Sequence, residues 1–293
     1  MFLEQFLKYL QYEKRYSKHT LIAYKNDLSQ YQLFLDTLEQ TALTANHHTI
    51  RSWIVSLMDE NIDARSINRK ISTLRSFYKF LVKEKLLEEN PVSKVQTPKA
   101  AKKLPSFIPD EKLNSLLDSD EVFESGFSGL RDKLVIELLF GTGIRLSELL
   151  SIKESDIHTQ EKTLKVLGKR NKERIIPINH TLLDLMLTYN VEKNIQAFTN
   201  NSEFFIVTNS GSSAYPNFIY RLVQKYLSKI STQEKKSPHV LRHSFATSLL
   251  NKGADINAIK DLLGHANLAA TQVYTHNSIE RLKSIYKQAH PKA

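Results

Sequence analysis

Cysteine is absent from the 293 residues of this chain. Its absence excludes disulfide bonds, thiolate metal sites and cysteine nucleophiles, and it is typical of proteins from the reducing cytoplasm. The sequence also lacks an apolar run of about 18 residues, so it predicts no membrane-spanning helix. The N-terminal stretch MFLEQFLKYLQYEKRYSK carries charges from position 4 onward and has no small-residue cleavage site, which argues against a signal peptide. We therefore expect a cytoplasmic protein without a membrane partner.

Glycine is scarce as well: the chain has eight, and none precedes Gly126. Tight turns between strands depend on glycine, so this absence disfavours a sheet in the first part of the chain. Apolar residues recur there at helical spacing in four segments, and Ser17 is placed to cap the second of them. Residues 1–90 are therefore predicted to form a helical domain.

The stretch from Asn90 to Lys112 breaks the helical pattern with four prolines and five lysines. We interpret 91–106 as a basic linker, extended where proline restricts the residue before it. In 107–293, TLKVL and ERIIPI predict two strands joined by a hairpin turn, and SPHVLRHSFATSLLNKG predicts a helix that begins after Ser237. The expected fold class is mainly α with a small β-sheet, in two domains.

Basic residues outnumber acidic ones by 41 to 31, which gives a net charge of +10, and the excess is present on both sides of residue 100. Such a surface favours a polyanionic partner, most simply nucleic acid. In the fourth helical segment, a helical wheel of about 100° per residue gathers five cations on one side of the helix, opposite an apolar face. The five cations are Arg65, Arg69, Arg75, Lys79 and Lys83. We predict that they contact a DNA backbone, and the alternative is a cationic helix face that contacts only solvent.

Chemically capable side chains occur in four short motifs. They are Arg145 after the GTG turn, with Glu148 three residues on; Lys169 in the hairpin turn; His239 and Arg242, three apart on one helix face; and His265 followed by Tyr274. Each residue alone has an ordinary interpretation as a surface ion pair, a soluble turn, a hydrogen-bonded histidine or a packed tyrosine. The set as a whole is more informative than its members.

Two arginines, a lysine, two histidines and a tyrosine are the groups needed to break a phosphodiester without a metal. Paired guanidinium groups match the charge on the nonbridging oxygens. A phenol with a pKa of about 10 needs a nearby base or a positive field to attack. A lysine among cations can protonate the departing 5′ oxygen. No carboxylate cluster suits a pair of Mg²⁺ ions, so we expect no metal and no cofactor.

The motifs TGIRLSELLSI, LGKRNKERIIPI, SPHVLRHSFATSLL and LLGHANLAATQVYTH, in this order and spacing, resemble those of the tyrosine recombinase family, and within it the Xer-type site-specific recombinases. The resemblance extends to FLKYLQYEKRYSKHTLIAYKNDL near the N-terminus and ERLKSIYKQAHPKA near the C-terminus, so it covers essentially the whole chain. Two departures are peripheral: Arg170 stands where glycine is common, and Ser248 stands where histidine is common.

The resemblance implies a role for each matching residue. Tyr274 is the expected nucleophile, which forms a 3′-phosphotyrosyl bond and frees a 5′-hydroxyl. Arg145 and Arg242 are expected to bind the scissile phosphate, and His265 to donate a hydrogen bond to it. Lys169 is the expected general acid, and His239 is expected to assist deprotonation of the tyrosine. Glu148 is expected to support Arg145.

The resemblance also implies an assembly. An N-terminal SAM-like core-binding domain clamps DNA, and four protomers, identical or of two related kinds, act on two double-stranded recombination sites. The C-terminal helix, about 278–290, is expected to dock onto a neighbouring protomer, the alternative being packing within its own domain. The family's usual duty is chromosome dimer resolution at a dif-like site during chromosome partition and cell division, with the septal DNA translocase as activator, which implies association with the nucleoid.

Alternatives remain open at this point. An integrase or transposase of a phage or mobile element has the same chemistry, but often carries a further arm-binding domain before the core-binding helices, with which this chain opens. A type IB topoisomerase also uses a tyrosine, but it does not share the full-length match. A non-catalytic DNA-binding protein explains the charge and the helices, yet it leaves Lys169, His265 and Tyr274 without a purpose.

Overall fold

The structure, a computed structural model, describes residues 2–99, 106–119, 121–168 and 172–264, together with Tyr286. The chain divides into two compact units, Met1–Lys103 and Leu104–Ala293. Each unit has its own cluster of buried apolar side chains. No helix in the described ranges is both long and apolar enough to cross a membrane.

The first unit is helical, as the low glycine content predicts. Its elements are α1 (Phe2–Lys8), which continues as a π-helical turn (Tyr9–Glu13), α2 (Lys18–Thr37), α3 (His47–Asp59) and α4 (Ala64–Lys83). Ser17 caps α2, since its side chain accepts a hydrogen bond from the Thr20 backbone N–H at 3.3 Å. The predicted helices and this cap are confirmed.

The apolar face of α4 forms much of the first core. The five apolar residues that the helical wheel places opposite the cations are at most 1% exposed: Ile67, Ile71, Leu74, Tyr78 and Leu81. The hydroxyl of Tyr78 lies 2.9 Å from that of Tyr31 on α2, which satisfies both polar groups. Burial raises the pKa of Tyr31 to about 12, so the phenol stays neutral.

The second unit combines helices with one small antiparallel sheet. Its elements are α5 (Asp110–Asp118), α6 (Phe127–Thr142), α7 (Leu146–Leu149), a 3₁₀ turn (Glu154–Asp156), β1 (Ile157–His158), β2 (Thr163–Leu167), β3 (Glu173–Pro177), α8 (His180–Ile195), α9 (Pro216–Ile230), α10 (Pro238–Asn251) and α11 (Ile256–Leu263). The sheet order is β1-β2-β3, with Leu164 opposite Ile176. The two predicted strands are confirmed, while β1, only two residues long, has no pattern that sequence could show.

Helix α6 is the central element of the second unit, and the position of its C-terminal end determines where Arg145 lies. It is buried on nearly all sides, and its last described turn leads to Gly143, which has φ +61°. A Cβ at Gly143 would lie 2.4 Å from Cδ1 of Phe245 on α10, so only glycine permits this close approach. The chain turns there and delivers Arg145 to the start of α7.

Helix α10 is fastened to the beginning of the second unit. The Ile108 backbone N–H donates to Oγ of Ser244 at 2.8 Å, and the Ser248 hydroxyl donates to the carboxylate of Asp110. Ser248, one of the two departures noted in the sequence, therefore has a structural partner. Ser237 is the N-cap residue of α10 as predicted, but its side chain makes no capping hydrogen bond.

Candidate active site

Three arginines from three different elements converge in the second unit. Arg145 precedes α7, Arg174 lies on β3, and Arg242 lies in the second turn of α10. They surround the carboxylate of Glu148 and the C-terminal end of α11. The structure thus brings together Arg145, Glu148 and Arg242 from the predicted set and adds Arg174.

Glu148 is the buried anion of this cluster, with its side chain only 1% exposed. Its Oε2 accepts from the Arg145 backbone N–H at 2.7 Å, which caps α7, and its Oε1 accepts from Arg145 Nη1 at 2.8 Å. Arg174 binds the same carboxylate bidentately, with Nη1 at 2.7 Å from Oε1 and Nη2 at 2.9 Å from Oε2. Burial acts to raise the pKa of Glu148, but the hydrogen bonds and charges of Arg174 and Arg145 outweigh it and lower that pKa.

The end of α11 is bound by all three arginines. Helix C-termini leave carbonyl groups unpaired and carry partial negative charge, which makes them natural acceptors for cations. Three consecutive carbonyls are each taken by a different arginine: Leu262 by Arg174 Nε at 2.9 Å, Leu263 by Arg242 Nη2 at 2.7 Å, and Gly264 by Arg145 Nη2 at 3.0 Å.

The cluster carries more positive than negative charge, because it holds three guanidinium groups and one carboxylate, Glu148, which binds Arg145 and Arg174. Burial lowers the pKa of Arg242 to about 10, together with the positive charges of Arg145 and Arg174, while the negative charge of Glu148 partly opposes this shift. The guanidinium therefore remains charged at neutral pH. Arg242 also donates to the Gly143 carbonyl at 2.6 Å. Such fixed donors suit an anion such as a phosphodiester. Among the described residues, no group of three or more His, Asp and Glu side chains is placed to hold a metal ion.

The remaining predicted site residues are distributed as follows. His239 lies in the first turn of α10, three residues before Arg242, with an exposed side chain. Lys169, His265 and Tyr274 lie outside the described residues, as does Arg170. Gly264, which precedes His265, and Gly168, which precedes Lys169, both lie at the cluster. The Gly264 carbonyl accepts a hydrogen bond from Arg145, and a Cβ added at Gly168 would lie 3.5 Å from Oε1 of Glu148.

Arg174 was missed by sequence reasoning, although the motif ERIIPI contains a signal for it. In β3, Arg174 alternates with Ile176, and both side chains are buried while Glu173 is exposed. A charged residue in phase with the inward apolar residues of a strand indicates a buried ion pair. The prediction took the segment as a strand and assigned no role to Arg174.

The five cations predicted to contact DNA are all exposed on α4. Some have protein partners: Arg69 binds Asp27, Arg75 donates to the Val95 carbonyl at 3.2 Å, and Lys83 lies 3.1 Å from Glu13. Asp27 is buried and also binds Lys70, whose side chain is only 7% exposed. Asp27 and Lys70 did not appear among the predicted residues.

Tyr286 is the described residue within the predicted partner helix 278–290. Its side chain is 4% exposed, packs into the core of the second unit and donates from its hydroxyl to the Gly141 carbonyl at 2.9 Å. Burial raises the pKa of this phenol. At this residue the chain packs against its own unit, while docking of the segment onto a neighbour stays a prediction.

Two family descriptions match the chain. "Phage integrase, N-terminal SAM-like domain" matches residues 3–85, and "Phage integrase family" matches residues 106–281. The first range covers the helices of the first unit, and the second contains the arginine cluster.

Curated relatives match along the whole length. Tyrosine recombinase XerD of Staphylococcus haemolyticus is 37% identical over 294 residues, covering 99% of this chain and 99% of the relative. Tyrosine recombinase XerC of Listeria innocua is 38% identical over 297 residues, covering 99% and 97%. Tyrosine recombinase XerC of Bacillus subtilis is 35% identical over 297 residues, covering 100% and 97%.

Solved structures share the fold. The XerH site-specific recombinase bound to a palindromic difH substrate has a TM-score of 0.74 at 22% identity, covering 96% of this chain and 82% of that chain. The Tn1549 transposon integrase in complex with circular intermediate DNA has a TM-score of 0.71 at 18% identity, covering 96% and 98%. At these identities the likeness concerns the fold alone.

Proposed function

Since the chain belongs to the phage integrase family of tyrosine recombinases, which cut and rejoin DNA through a tyrosine nucleophile, we propose that it is a site-specific recombinase of the Xer type. Its substrate is a double-stranded recombination site, and its duty is the resolution of chromosome dimers at a dif-like site. The observation that carries the proposal is the convergence of Arg145 and Arg242 on one helix end beside Glu148, where they offer fixed donors to a phosphate.

In the proposed reaction, the Tyr274 oxygen attacks the scissile phosphorus while the bond from phosphorus to the 5′ oxygen breaks. His239 assists removal of the phenol proton, and Lys169 protonates the departing 5′ oxygen. Arg145, Arg242 and His265 hold the nonbridging oxygens, where negative charge grows in the transition state. The 3′-phosphotyrosyl bond conserves the energy of the broken linkage, so attack by a 5′-hydroxyl rejoins the strand.

The arginines are suited to this role because their orientation is fixed before DNA binds. Arg145 and Arg242 each have hydrogen bonds to the backbone of α11 or to Glu148, yet the Arg145 side chain is 31% exposed and has N–H groups left to donate. Preorganised donors stabilise a transition state without a reorganisation cost during the reaction.

The assembly belongs to the same proposal. Residues 1–90 form the core-binding domain, 91–106 the linker and 107–293 the catalytic domain, whose helix 278–290 docks onto a neighbour. Four protomers join two DNA sites at the nucleoid, with the septal DNA translocase as activator. The relatives include proteins named XerC and XerD, and the four protomers are identical or of two related kinds.

Integration of a mobile element is the second candidate, because the family description that matches residues 106–281 is named for phage integrases. The Xer relatives, at 35–38% identity over almost the whole chain, support the chromosomal duty more strongly. A non-catalytic DNA-binding protein gives no reason for a cationic cluster built around a buried carboxylate.

Covalent capture tests the proposal. The protein is incubated with sheared DNA of its host, denatured in SDS, and the DNA that stays attached is sequenced. Enrichment of one chromosomal site near the replication terminus is expected, whereas enrichment of mobile-element ends would favour the second candidate. On a nicked duplex carrying the recovered site, Tyr274→Phe should abolish the adduct, and Tyr220→Phe, at an exposed tyrosine of α9, should retain it. An adduct with Tyr274→Phe would overturn the nucleophile assignment.

A further inference from the structure

We propose that Arg174 is a positioning residue for strand cleavage. It lies outside the six residues to which the family pattern assigns chemistry, and its proposed role rests on the recombinase function above. It holds Glu148 and the end of α11 in place so that Arg145 and Arg242 present their donors to one phosphate.

The contacts of Arg174 show that it acts through other residues. Its side chain is 5% exposed, and all three of its nitrogen atoms donate to protein groups. Nη1 and Nη2 bind the two oxygens of Glu148, and Nε binds the Leu262 carbonyl. A guanidinium committed in this way holds its neighbours and leaves phosphate binding to the more exposed Arg145.

The first effect of Arg174 concerns the charge of Arg145. A buried carboxylate needs a cationic partner, and Glu148 has two, Arg174 and Arg145. Because Arg174 binds both carboxylate oxygens, the negative charge of Glu148 is already balanced. The charge of Arg145 then remains available to a phosphate. Without Arg174, Arg145 would become the main counterion of Glu148.

The second effect concerns the backbone that the arginines share. Arg174 binds the first of three consecutive carbonyls at the end of α11, and Arg242 and Arg145 bind the next two. Displacement of Leu262 would therefore shift the acceptors that orient both proposed phosphate ligands. In this way Arg174 connects β3, α7 and α11 through one side chain.

The Arg174 side chain lies beside two glycines. A Cβ at Gly264 would lie 3.3 Å from Cδ and 3.3 Å from Nη1 of Arg174, and a Cβ at Gly168 would lie 3.7 Å from the same Nη1. In sequence, Gly168 comes directly before Lys169, and Gly264 comes directly before His265. The guanidinium thus lies next to the two glycines that precede two proposed catalytic residues.

The geometry requires an arginine and not only a positive charge. The three contacts use a planar fork together with Nε, whereas a lysine offers one ammonium at the end of a flexible stem. Lysine at position 174 can balance the charge of Glu148 but cannot also hold Leu262. The conservative variant is therefore expected to restore only part of the function.

Single-turnover cleavage of the nicked duplex tests this role, with covalent adduct as the readout and DNA affinity measured in parallel. Arg174→Met should slow cleavage by about 10- to 100-fold, the loss seen when a partner that orients a ligand side chain is removed at metal sites. DNA affinity should stay unchanged, and Arg174→Lys should fall between Arg174→Met and the unmodified protein.

Arg131→Met is the matched control. Arg131 is equally buried in the same unit, with a side chain 4% exposed, and it binds Asp132 and Asn209 and none of the cluster residues. Its loss should lower the melting temperature about as much as Arg174→Met while leaving the cleavage rate of the folded fraction unchanged.

A methylphosphonate at the scissile position separates positioning from a general effect on folding. In this linkage a methyl group replaces one nonbridging oxygen and leaves the phosphorus centre uncharged, which removes the negative charge that the arginines are proposed to bind. The defect of Arg174→Met should therefore shrink on this substrate. An equal defect on both substrates, or an undiminished cleavage rate in Arg174→Met, overturns the positioning role.

Two further outcomes are distinguishable. If Arg174→Met does not fold, Arg174→Lys serves in the same comparison of the two substrates: a defect that shrinks supports the role, and a rate equal to that of the unmodified protein overturns it. If the unmodified protein forms no adduct while the control variants fold, the proposed function fails, and the role of Arg174 fails with it.

Discussion

Asp27 in the first unit and Glu148 in the second are buried carboxylates with similar surroundings. Each binds one buried cation, Lys70 or Arg174, and one partly exposed arginine, Arg69 or Arg145. The exposed arginines differ, since the Arg69 side chain is 50% exposed and that of Arg145 is 31% exposed.

The two arrangements differ in what else they hold. Around Asp27 the additional contact is the hydroxyl of Thr73, at 2.9 Å on the same helix as Arg69. Around Glu148 the arginines continue to the carbonyls of α11, which also bind Arg242. The first arrangement steadies one surface cation, whereas the second fixes several donors relative to one another. Contact with a DNA backbone needs only a held surface cation, whereas cleavage of a phosphodiester needs several donors in fixed positions.

The largest expected effect is on folding. Asp27→Ala and Glu148→Ala should each lower the free energy of unfolding by about 3–5 kcal/mol, because each leaves a buried cation without its partner. The chain has one tryptophan, Trp53 in the first unit, so its fluorescence follows unfolding of that unit. Denaturant titration should show a shifted Trp53 transition for Asp27→Ala and an unshifted one for Glu148→Ala. A shift in both would contradict separate networks.

The next effect is on the reaction. Arg145→Ala should raise the barrier to cleavage by about 3 kcal/mol, as removal of a single charge-stabilising donor does elsewhere. Arg69→Ala should leave the single-turnover cleavage rate of bound DNA unchanged. Adduct formation at saturating enzyme measures both rates. Similar losses in the two variants would mean that the surface arrangement contributes directly to the chemistry.

A smaller effect concerns salt. If Arg69 contacts a phosphate, Arg69→Ala should reduce the slope of log affinity against log salt by about 1. The control is Arg51→Ala, at an exposed arginine on α3 outside the predicted DNA-binding set. Affinities from fluorescence anisotropy over a range of salt concentrations give the two slopes. An unchanged slope for Arg69→Ala would remove Arg69 from that set.

The smallest expected effect is on the pH dependence of stability. Folding lowers the pKa of Glu148 below its ordinary value of 4.5, so its ionised form stabilises the folded state above that pH. This contribution is lost as the pH falls through the lower, folded value. The difference in denaturant midpoint between the unmodified protein and Glu148→Gln should therefore be constant near neutral pH and shrink in acid. A difference that grew in acid would reverse the sign of the shift.

Much of the fold follows from local patterns. The buried face of α4 could be predicted because an apolar residue recurs at each helical turn, and β2 and β3 because apolar side chains cluster there beside a turn. The π-helical turn Tyr9–Glu13 and the strand β1 could not, since neither has a period of its own in so few residues.

The site shows the same division. Arg145, Glu148 and Arg242 could be expected to lie together because their motifs match a family pattern in order and spacing, while their catalytic roles stay predictions. Arg174, Asp27 and Lys70 depend on contacts between elements distant in sequence, such as the pair formed by Lys70 and Asp27 from α4 and α2. Local patterns suggest that a charged residue is exposed, and only the packed structure shows where its partner lies.

Gly143 has a consequence for how this sequence can vary. Its α-hydrogen faces Phe245 of α10 and Leu263 of α11, where an added methyl group would lie 2.4 and 2.9 Å from their side chains. These helices carry Arg242 and one of the carbonyls that orient it. Gly143→Ala, the smallest substitution at this position, would therefore displace two helices of the site without altering any charged group. Mutational tolerance here is limited by the room for a single carbon atom.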